Sequence, residues 1–204
     1  MGVYVMYHLM DLNLNLIIYK MVKEINNFLS DEECNELINL SSDSFDNVEV
    51  LGENIDGYRV AKGTWLEEED GEVVIKYRKL ISEITQIPTI NMESINVLKY
   101  DIGGEYKDHH DFFHPNENYY DDEIKRGGQR LKTGLVYLND NFEGGETSFP
   151  NLNIKIVPKK GKLVLWDNIK DDGSLDYDSI HAGLPVTNGF KYIAVIWIRE
   201  NKFY

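Results

Sequence analysis

The feature that most constrains the fold is a change of sequence character near residue 90. Beyond it, short segments rich in β-branched and aromatic residues are separated by Gly, Asn, Asp or Pro. This pattern is typical of antiparallel strands joined by short turns, rather than of strands that alternate with helices. The predicted strands include residues 94–100, 130–138, 154–158, 162–166 and 190–198.

Two helices are predicted before this change. In FLSDEECNELINL, Ser30 and Glu33 have the spacing of a capping box, and Cys34 begins an apolar series at helical spacing. A second helix is predicted from about Val73 to Gln86, because its apolar residues form one stripe and Pro88 follows it. Helices followed by many strands indicate a mainly β, α+β fold in which the helices brace one sheet of a barrel or sandwich.

Length and composition suit one domain, and we predict an N-terminal extension at residues 1–22 and a domain at residues 23–204. The formal net charge of −14 argues against non-specific binding to nucleic acid or anionic lipid. A single cysteine, Cys34, gives no sign of an oxidising compartment. The N-terminus lacks the features of a signal peptide, and no apolar run is long enough to span a bilayer. These observations predict a cytoplasmic protein.

The segment YKDHHDFFHP, residues 106–115, holds three of the five histidines. Residues two apart on a strand point to one face, so His109 and Asp111 are expected to converge while His110 points away. A third ligand has to come from elsewhere, and His181 in SIHAGLPV is the distant histidine of the β-rich half. Two histidines and one carboxylate form the facial triad of non-haem Fe(II) oxygenases, which leaves three positions open. The alternative interpretation of residues 106–115 is a solvated polar turn without a metal. In both interpretations, His110 and His114 are predicted to be exposed loop histidines.

Oxygenases of this type need an oxidisable co-substrate, usually 2-oxoglutarate, whose far carboxylate requires a buried cation. Lys191 lies ten residues after His181, inside the apolar segment FKYIAVIWI. A lysine in such a segment is costly unless it is paired. The alternative is a lysine on an edge strand that extends to solvent. The position of Lys191 shortly after a candidate iron histidine favours a buried lysine that pairs with the carboxylate of the co-substrate.

Several motifs in order resemble the Fe(II)/2-oxoglutarate-dependent oxygenases of the prolyl 4-hydroxylase type, in the collagen, plant and algal group. The resemblance extends from about Ile25 to Ile198. It is carried by NFLSDEECNELI, GYRVAKGTWL, INVLKYDIGGEYKDHHDFFHP, GGQRLKTGLVYLND, FEGGETSFP, VPKKGKLVLWDN and LPVTNGFKYIAVIWI. It implies a double-stranded β-helix of the jelly-roll or cupin-like type, braced by the N-terminal helices.

The resemblance also implies roles for single residues. His109, Asp111 and His181 correspond to the three iron ligands. Lys191 corresponds to the lysine that pairs with the C5 carboxylate of 2-oxoglutarate.

Four further residues receive roles in the same way. Tyr100 and Thr147 correspond to residues that support the C5 carboxylate, and Trp197 corresponds to a tryptophan that lines the co-substrate pocket. Arg130, in GGQR, resembles an arginine near the peptide substrate. Each also has a plainer interpretation, as a core aromatic, a strand residue or a surface cation.

The implied activity is hydroxylation of proline at C4 in peptides or proteins, with Fe(II), O2, 2-oxoglutarate and ascorbate as reductant, and with release of succinate and CO2. Two alternatives stay open from the sequence. One is an oxygenase of the same scaffold that acts on another side chain or on a small molecule. The other is a non-enzymatic cupin-like binding module. The segments GYRVAKGTWL and NENYYDDEIKRGG are expected to be loops over the mouth of the site.

Overall fold

The computed structural model describes residues 16–19, 21–42, 44–47 and 57–204. Its helices are α1 (Asp31–Ser41), α2 (Glu72–Thr85) and α3 (Tyr120–Gly127). The strands are β1 (Leu16–Tyr19), β2 (Val22–Ile25), β3 (Asp46–Asn47), β4 (Lys62–Leu66), β5 (Ile95–Tyr100), β6 (Tyr106–His109), β7 (Arg130–Tyr137), β8 (Glu143–Gly144), β9 (Thr147–Phe149), β10 (Ile154–Ile156), β11 (Leu163–Asp167), β12 (His181–Gly183), β13 (Val186–Asn188) and β14 (Lys191–Arg199).

The strands form a large sheet and a smaller sheet. The large sheet has eight strands in the order β1-β2-β11-β7-β14-β5-β4-β3, and the smaller one has four in the order β10-β9-β12-β6. A separate pair joins β13 to β8. All of these neighbours are antiparallel. The predicted strands therefore form, and they pair in the antiparallel manner expected.

The alternation of side chains along each strand gives the large sheet two different apolar faces. Along β14, Ala194 and Ile196 pack against the helices, whereas Ile193 and Val195 face the smaller sheet. The first face forms a core with α1 and α2, and the second forms a core with β9 and β10. Every candidate site residue on the large sheet lies on the second face or at its edge, so the site is built between the two sheets.

The two predicted helices form close to their predicted bounds. Ser30 caps α1 as expected, since Glu33 N donates to Ser30 Oγ at 3.3 Å and Ser30 N donates to Glu33 Oε2 at 2.9 Å. Cys34 is buried on this helix. Helix α2 ends at Thr85, and Gln86 adopts a left-handed conformation with φ 59°. The chain thus leaves this helix at Gln86, before Pro88 is reached.

The prediction of a loop at NENYYDDEIKRGG is wrong for Tyr120–Gly127, which form α3, and the prediction of a loop at GYRVAKGTWL is wrong for Lys62–Leu66, which form β4. Acidic residues in the first turn and Lys125 and Arg126 in the last turn complement the helix dipole. The helix has no apolar stripe, which is the signal that sequence reasoning used for α1 and α2. Its buried residues are Glu123 and Gly127.

The predicted N-terminal extension is described only in part. Residues 16–19 form β1 and pair with β2, whereas residues 1–15 and 20 lie outside the described residues. His8 is therefore also outside them. In the part of the chain that the structure describes, none of the helices combines the length and the apolar character needed to cross a membrane.

Candidate metal and co-substrate site

Three potential metal ligands converge between the sheets. His109 ends β6 and His181 begins β12, and the two residues are register partners where these strands pair. Asp111 lies in the bend just after β6, so it reaches the same point without being part of the strand. The ligand atoms of the three side chains all lie within 4.8 Å of one another. The predicted convergence of His109, Asp111 and His181 is thus present in the structure.

Backbone carbonyls fix both imidazole rings. His109 Nδ1 lies 2.7 Å from the Lys107 oxygen, and His181 Nδ1 lies 2.9 Å from the Ser179 oxygen. A carbonyl can only accept, so each Nδ1 carries the hydrogen and each Nε2 offers its lone pair. The Nε2 atoms lie 3.7 and 3.6 Å from the oxygens of Asp111. This is the orientation that a metal ion requires of histidine.

A short hydrogen-bonded chain orients the carboxylate. Thr133 Oγ1 donates to Asp111 Oδ2 at 2.7 Å, and Asn168 Nδ2 donates to Thr133 Oγ1 at 3.0 Å. Because the hydroxyl oxygen accepts from Asn168, its hydrogen is directed at the carboxylate. Burial alone would raise the pKa of Asp111, but the neighbouring His181 and His109 lower it below its ordinary value. The carboxylate is therefore ionised and held in one orientation.

His109 is protected from protonation. Burial lowers its pKa well below 6.5, and the neighbouring His181 lowers it further. The ring of Tyr106 stacks on it, with centroids 3.5 Å apart. A neutral imidazole is the form that binds metals, so the packing favours a ligand role.

Lys191 is buried at the first position of β14, with 1% of its surface exposed. Strand β14 lies inside the large sheet, so the interpretation as an edge-strand lysine does not apply. Its Nζ donates to the Gly145 oxygen at 3.0 Å, the one hydrogen bond that it makes to the described residues. Burial lowers the pKa of Lys191 to about 7. A buried ammonium with two unused hydrogens is suited to binding an anion.

The other predicted co-substrate residues surround this ammonium or the metal ligands. Tyr100 is the register partner of Lys191, and its ring centroid lies 4.5 Å from Nζ. Thr147 is buried, with its Oγ1 2.6 Å from the hydroxyl of Tyr137. One cavity contacts Lys191, Tyr100, Thr147 and Trp197 as well as His109, Asp111 and His181. The structure therefore brings together seven of the eight predicted site residues around one space.

The cavity walls fit a small dianion next to a metal ion. Three buried donors that line the cavity, Arg59 Nε, Trp166 Nε1 and Trp197 Nε1, have no hydrogen-bond partner among the residues described. Buried donors are rarely left unpaired, so an acceptor-rich ligand is expected here. Two imidazoles and a carboxylate on one side form a donor set suited to Fe(II). The residues present fit both iron and 2-oxoglutarate.

Arg130, the eighth residue, does not line this cavity and is held by Glu93. Its Nε and Nη2 donate to the two oxygens of Glu93 at 2.7 and 2.8 Å. Its guanidinium lies 4.0 Å from the centroid of the Trp197 ring. Burial alone would raise the pKa of Glu93, but the facing charges of Arg130 and Arg199 lower it. Arg130 borders the outer cleft, where a larger substrate would approach.

That outer cleft opens directly onto the iron-ligand cluster and has a volume of about 1000 Å³. It is rich in aromatic side chains, including Tyr58, Trp65, Phe112 and Tyr119. Its volume leaves room for a substrate that approaches the metal ligands from outside the inner cavity.

His110 and His114 also line the outer cleft, and both are half-buried. Their rings contact each other and the rings of Phe112 and Tyr177. The two lie in a loop as predicted, but the prediction that they are exposed is wrong. Neither belongs to the cluster of His109, Asp111 and His181, and His110 Nε2 lies 3.3 Å from the Tyr177 oxygen instead.

Sequence reasoning missed the residues that support the site. Thr133 and Asn168 orient Asp111, Tyr106 stacks on His109, and Glu93 holds Arg130. Thr133 gave a weak signal, as a polar β-branched residue just before the apolar end of β7. The other three have no comparable signal in one sequence.

Comparison with known proteins identifies the family. The family model described as the 2OG-Fe(II) oxygenase superfamily matches residues 95–199. The chain belongs to this superfamily. Fe(II) and 2-oxoglutarate are accordingly its metal and co-substrate, as the His109, Asp111 and His181 cluster supports.

Several relatives are named prolyl 4-hydroxylases, the type that the sequence resembles. The chain is 35% identical over 201 residues to probable prolyl 4-hydroxylase 8 of Arabidopsis thaliana, covering 87% of this chain and 68% of the relative. It is 33% identical over 180 residues to a putative prolyl 4-hydroxylase of Acanthamoeba polyphaga mimivirus, covering 88% and 74%.

A solved structure confirms the predicted fold. The viral collagen prolyl hydroxylase of Paramecium Bursaria Chlorella virus-1, in its 2OG complex, matches with a TM-score of 0.73 and 34% identity, covering 88% of this chain and 96% of that one. The predicted family and the mainly β, double-stranded β-helix fold of this superfamily are confirmed.

Proposed function

We propose that this chain is a prolyl 4-hydroxylase that uses Fe(II) and 2-oxoglutarate to hydroxylate C4 of proline in peptides or proteins. The observation that carries the proposal is a single cavity that holds a His-Asp-His cluster at one side and a buried, under-bonded lysine at the other. The relatives named prolyl 4-hydroxylase support proline as the target.

We assign the iron to His109, Asp111 and His181. The inner cavity and the outer cleft both reach these ligands, so 2-oxoglutarate and the substrate would approach a bound iron from these two spaces. Bound iron supplies the oxidising chemistry that couples conversion of 2-oxoglutarate to succinate and CO2 with hydroxylation of the substrate. The protein contributes rigid ligands, because a backbone carbonyl fixes each imidazole at the nitrogen that does not face the cluster, and the Thr133 hydroxyl fixes the Asp111 carboxylate.

We assign the far carboxylate of 2-oxoglutarate to Lys191, with Tyr100 and Thr147 beside it. Lys191 offers two hydrogens that no described residue accepts, and pairing with an anion would restore its charged form. Trp197 closes the cavity next to Arg130. These residues orient the co-substrate and exclude water from it.

The peptide is assigned to the outer cleft, whose aromatic side chains suit the rings of proline and its neighbours. Arg130 is proposed to contact it. Ascorbate is proposed as the reductant that maintains the iron in its ferrous state. A cytoplasmic location stays a prediction.

The test is incubation of proline-rich peptides with the protein, Fe(II), 2-oxoglutarate and ascorbate, followed by mass spectrometry. The expected product is a peptide heavier by one oxygen, with 4-hydroxyproline on amino-acid analysis. Succinate release with no modified proline in any peptide would contradict proline as the target. His181→Ala should abolish both products with the fold retained.

A further inference from the structure

A buried group of charges lies beneath the outer cleft, and we call Glu93, Glu123, Arg130 and Arg199 the arginine–glutamate cluster. Glu93 is its centre. Arg199 Nη1 donates to Glu93 Oε1 at 2.8 Å, and Arg130 occupies both oxygens of the same carboxylate. Arg199 has no exposed surface. It therefore acts only through the groups that it contacts.

Arg199 connects Glu93 to helix α3. Its Nε donates to the Gly128 oxygen at 3.0 Å, its Nη2 donates to the Glu123 backbone oxygen, and its Nη1 lies 3.4 Å from Glu123 Oε2. Phe113, which lines the cleft, lies under the guanidinium at 4.7 Å. One side chain thus joins the end of β14, the cleft-lining α3 and the carboxylate that holds Arg130.

The consequence for Arg130 is a fixed orientation. The two-point contact with Glu93 sets the plane of its guanidinium, which lies over the Trp197 ring. The remaining nitrogen, Nη1, points to the backbone oxygen of Asp111 at 3.5 Å. Arg130 is therefore positioned between the outer cleft and the segment that carries an iron ligand.

Stability alone is a weak reason for such a cluster. Buried ion pairs seldom stabilise a fold more than well-packed apolar residues of similar size would. The chain offers a comparison in the buried pair of Lys162 and Glu24, at 2.6 Å, which lines neither the cavity nor the outer cleft. The arginine–glutamate cluster differs because Glu93, Glu123 and Arg130 all line the cleft.

We propose that Arg199 is a positioning residue for peptide hydroxylation: through Glu93 it fixes the Arg130 guanidinium over Trp197, so that Arg130 can hold the peptide beside the iron site. The inference rests on the proposed function, since it concerns how the peptide is held. Arg199 itself contacts neither the peptide nor the iron. Its loss impairs peptide binding and leaves the 2-oxoglutarate end of the site intact.

The test compares Arg199→Met with the matched control Lys162→Met, which removes a buried charge of the other pair. Steady-state assays give KM separately for a proline-rich peptide and for 2-oxoglutarate, and the ratio of succinate to hydroxyproline. A second readout needs no turnover. Zinc replaces iron, 2-oxoglutarate is present, and fluorescence anisotropy gives the Kd of the labelled peptide.

For Arg199→Met, we expect the peptide KM and Kd to rise at least about tenfold, because a buried hydrogen-bonded charge is removed. KM for 2-oxoglutarate should stay within about twofold of the wild type, and succinate per hydroxyproline should rise. Lys162→Met should leave the peptide Kd unchanged. A peptide Kd for Arg199→Met within about twofold of the wild type overturns the proposal, and so does an equal rise in both variants.

A second variant, Arg199→Lys, keeps the charge but loses the planar group that reaches Glu93, Gly128 and Glu123 together. An intermediate rise of the peptide Kd supports the proposal. Circular dichroism and thermal melts check folding, and if neither variant folds, the role of Arg199 is structural and the proposal is wrong. Failure of the proposed function is distinguishable, since the wild type itself would then yield no hydroxyproline.

Discussion

Replacement of Lys191 by Met is predicted to stabilise the metal-free protein while it abolishes co-substrate binding. Burial lowers the pKa of this lysine from 10.5 to about 7. At about 1.4 kcal/mol per pKa unit, and with half of the protein charged at pH 7, the buried lysine costs the fold about 4 kcal/mol. Met removes this cost and also removes the hydrogen bond to Gly145, which contributes about 2 kcal/mol. The expected net gain is about 2 kcal/mol.

The assay is urea unfolding of both proteins at pH 7, without metal or 2-oxoglutarate, followed by circular dichroism. The midpoint for Lys191→Met should be higher with an unchanged slope. In parallel, calorimetry with Zn²⁺ in place of iron should show 2-oxoglutarate binding by the wild type and weakening of at least about a hundredfold in the variant. The variant is thus expected to gain stability and to lose affinity for 2-oxoglutarate, a combination that separates a ligand role of Lys191 from a structural one.

A lower midpoint for Lys191→Met would refute the reasoning. It would mean that the ammonium is well paired in the metal-free protein and that burial is not the main influence on its pKa. Unchanged affinity for 2-oxoglutarate would instead refute the assignment of the far carboxylate to Lys191.

Three further predictions follow from the same contacts. Thr133→Val should weaken metal binding about 10- to 100-fold by titration with Zn²⁺, because Asp111 loses the hydroxyl that orients it; affinity equal to the wild type would contradict this role. The stability of the metal-free wild type should rise with pH from about 7 towards 10.5, since the unfolded state binds more protons at Lys191 than the folded state does. Urea midpoints across that range check it, and in Lys191→Met this part of the rise should be absent. Ser30→Ala should cost about 1 kcal/mol in the same unfolding assay and leave hydroxylation rates unchanged, since it removes only the α1 cap.

The sequence by itself determined the elements with strong local signals. The strands β5, β7, β10, β11 and β14 follow from segments rich in β-branched and aromatic residues that are bounded by turn residues, and α1 follows from its capping box and apolar spacing. The short strands β6, β8, β9, β12 and β13 have no such signal. Helix α3 has neither an apolar stripe nor a capping box, so its sequence resembles a polar loop. Glu123 on α3 is held by Arg199, a residue 76 positions away, and no local pattern records such a contact.

The same division applies to the site. Residue type and spacing made His109, Asp111, His181 and Lys191 candidates, because metal binding and anion binding restrict the possible side chains. The family resemblance then gave each of them a role. Their convergence, and the support of Asp111 by Thr133, depend on which strands become neighbours. Strand order is decided by the burial of two opposite faces of one sheet, an energy summed over the whole core. The tertiary structure alone therefore decided how the ligands are held and where Arg199 acts.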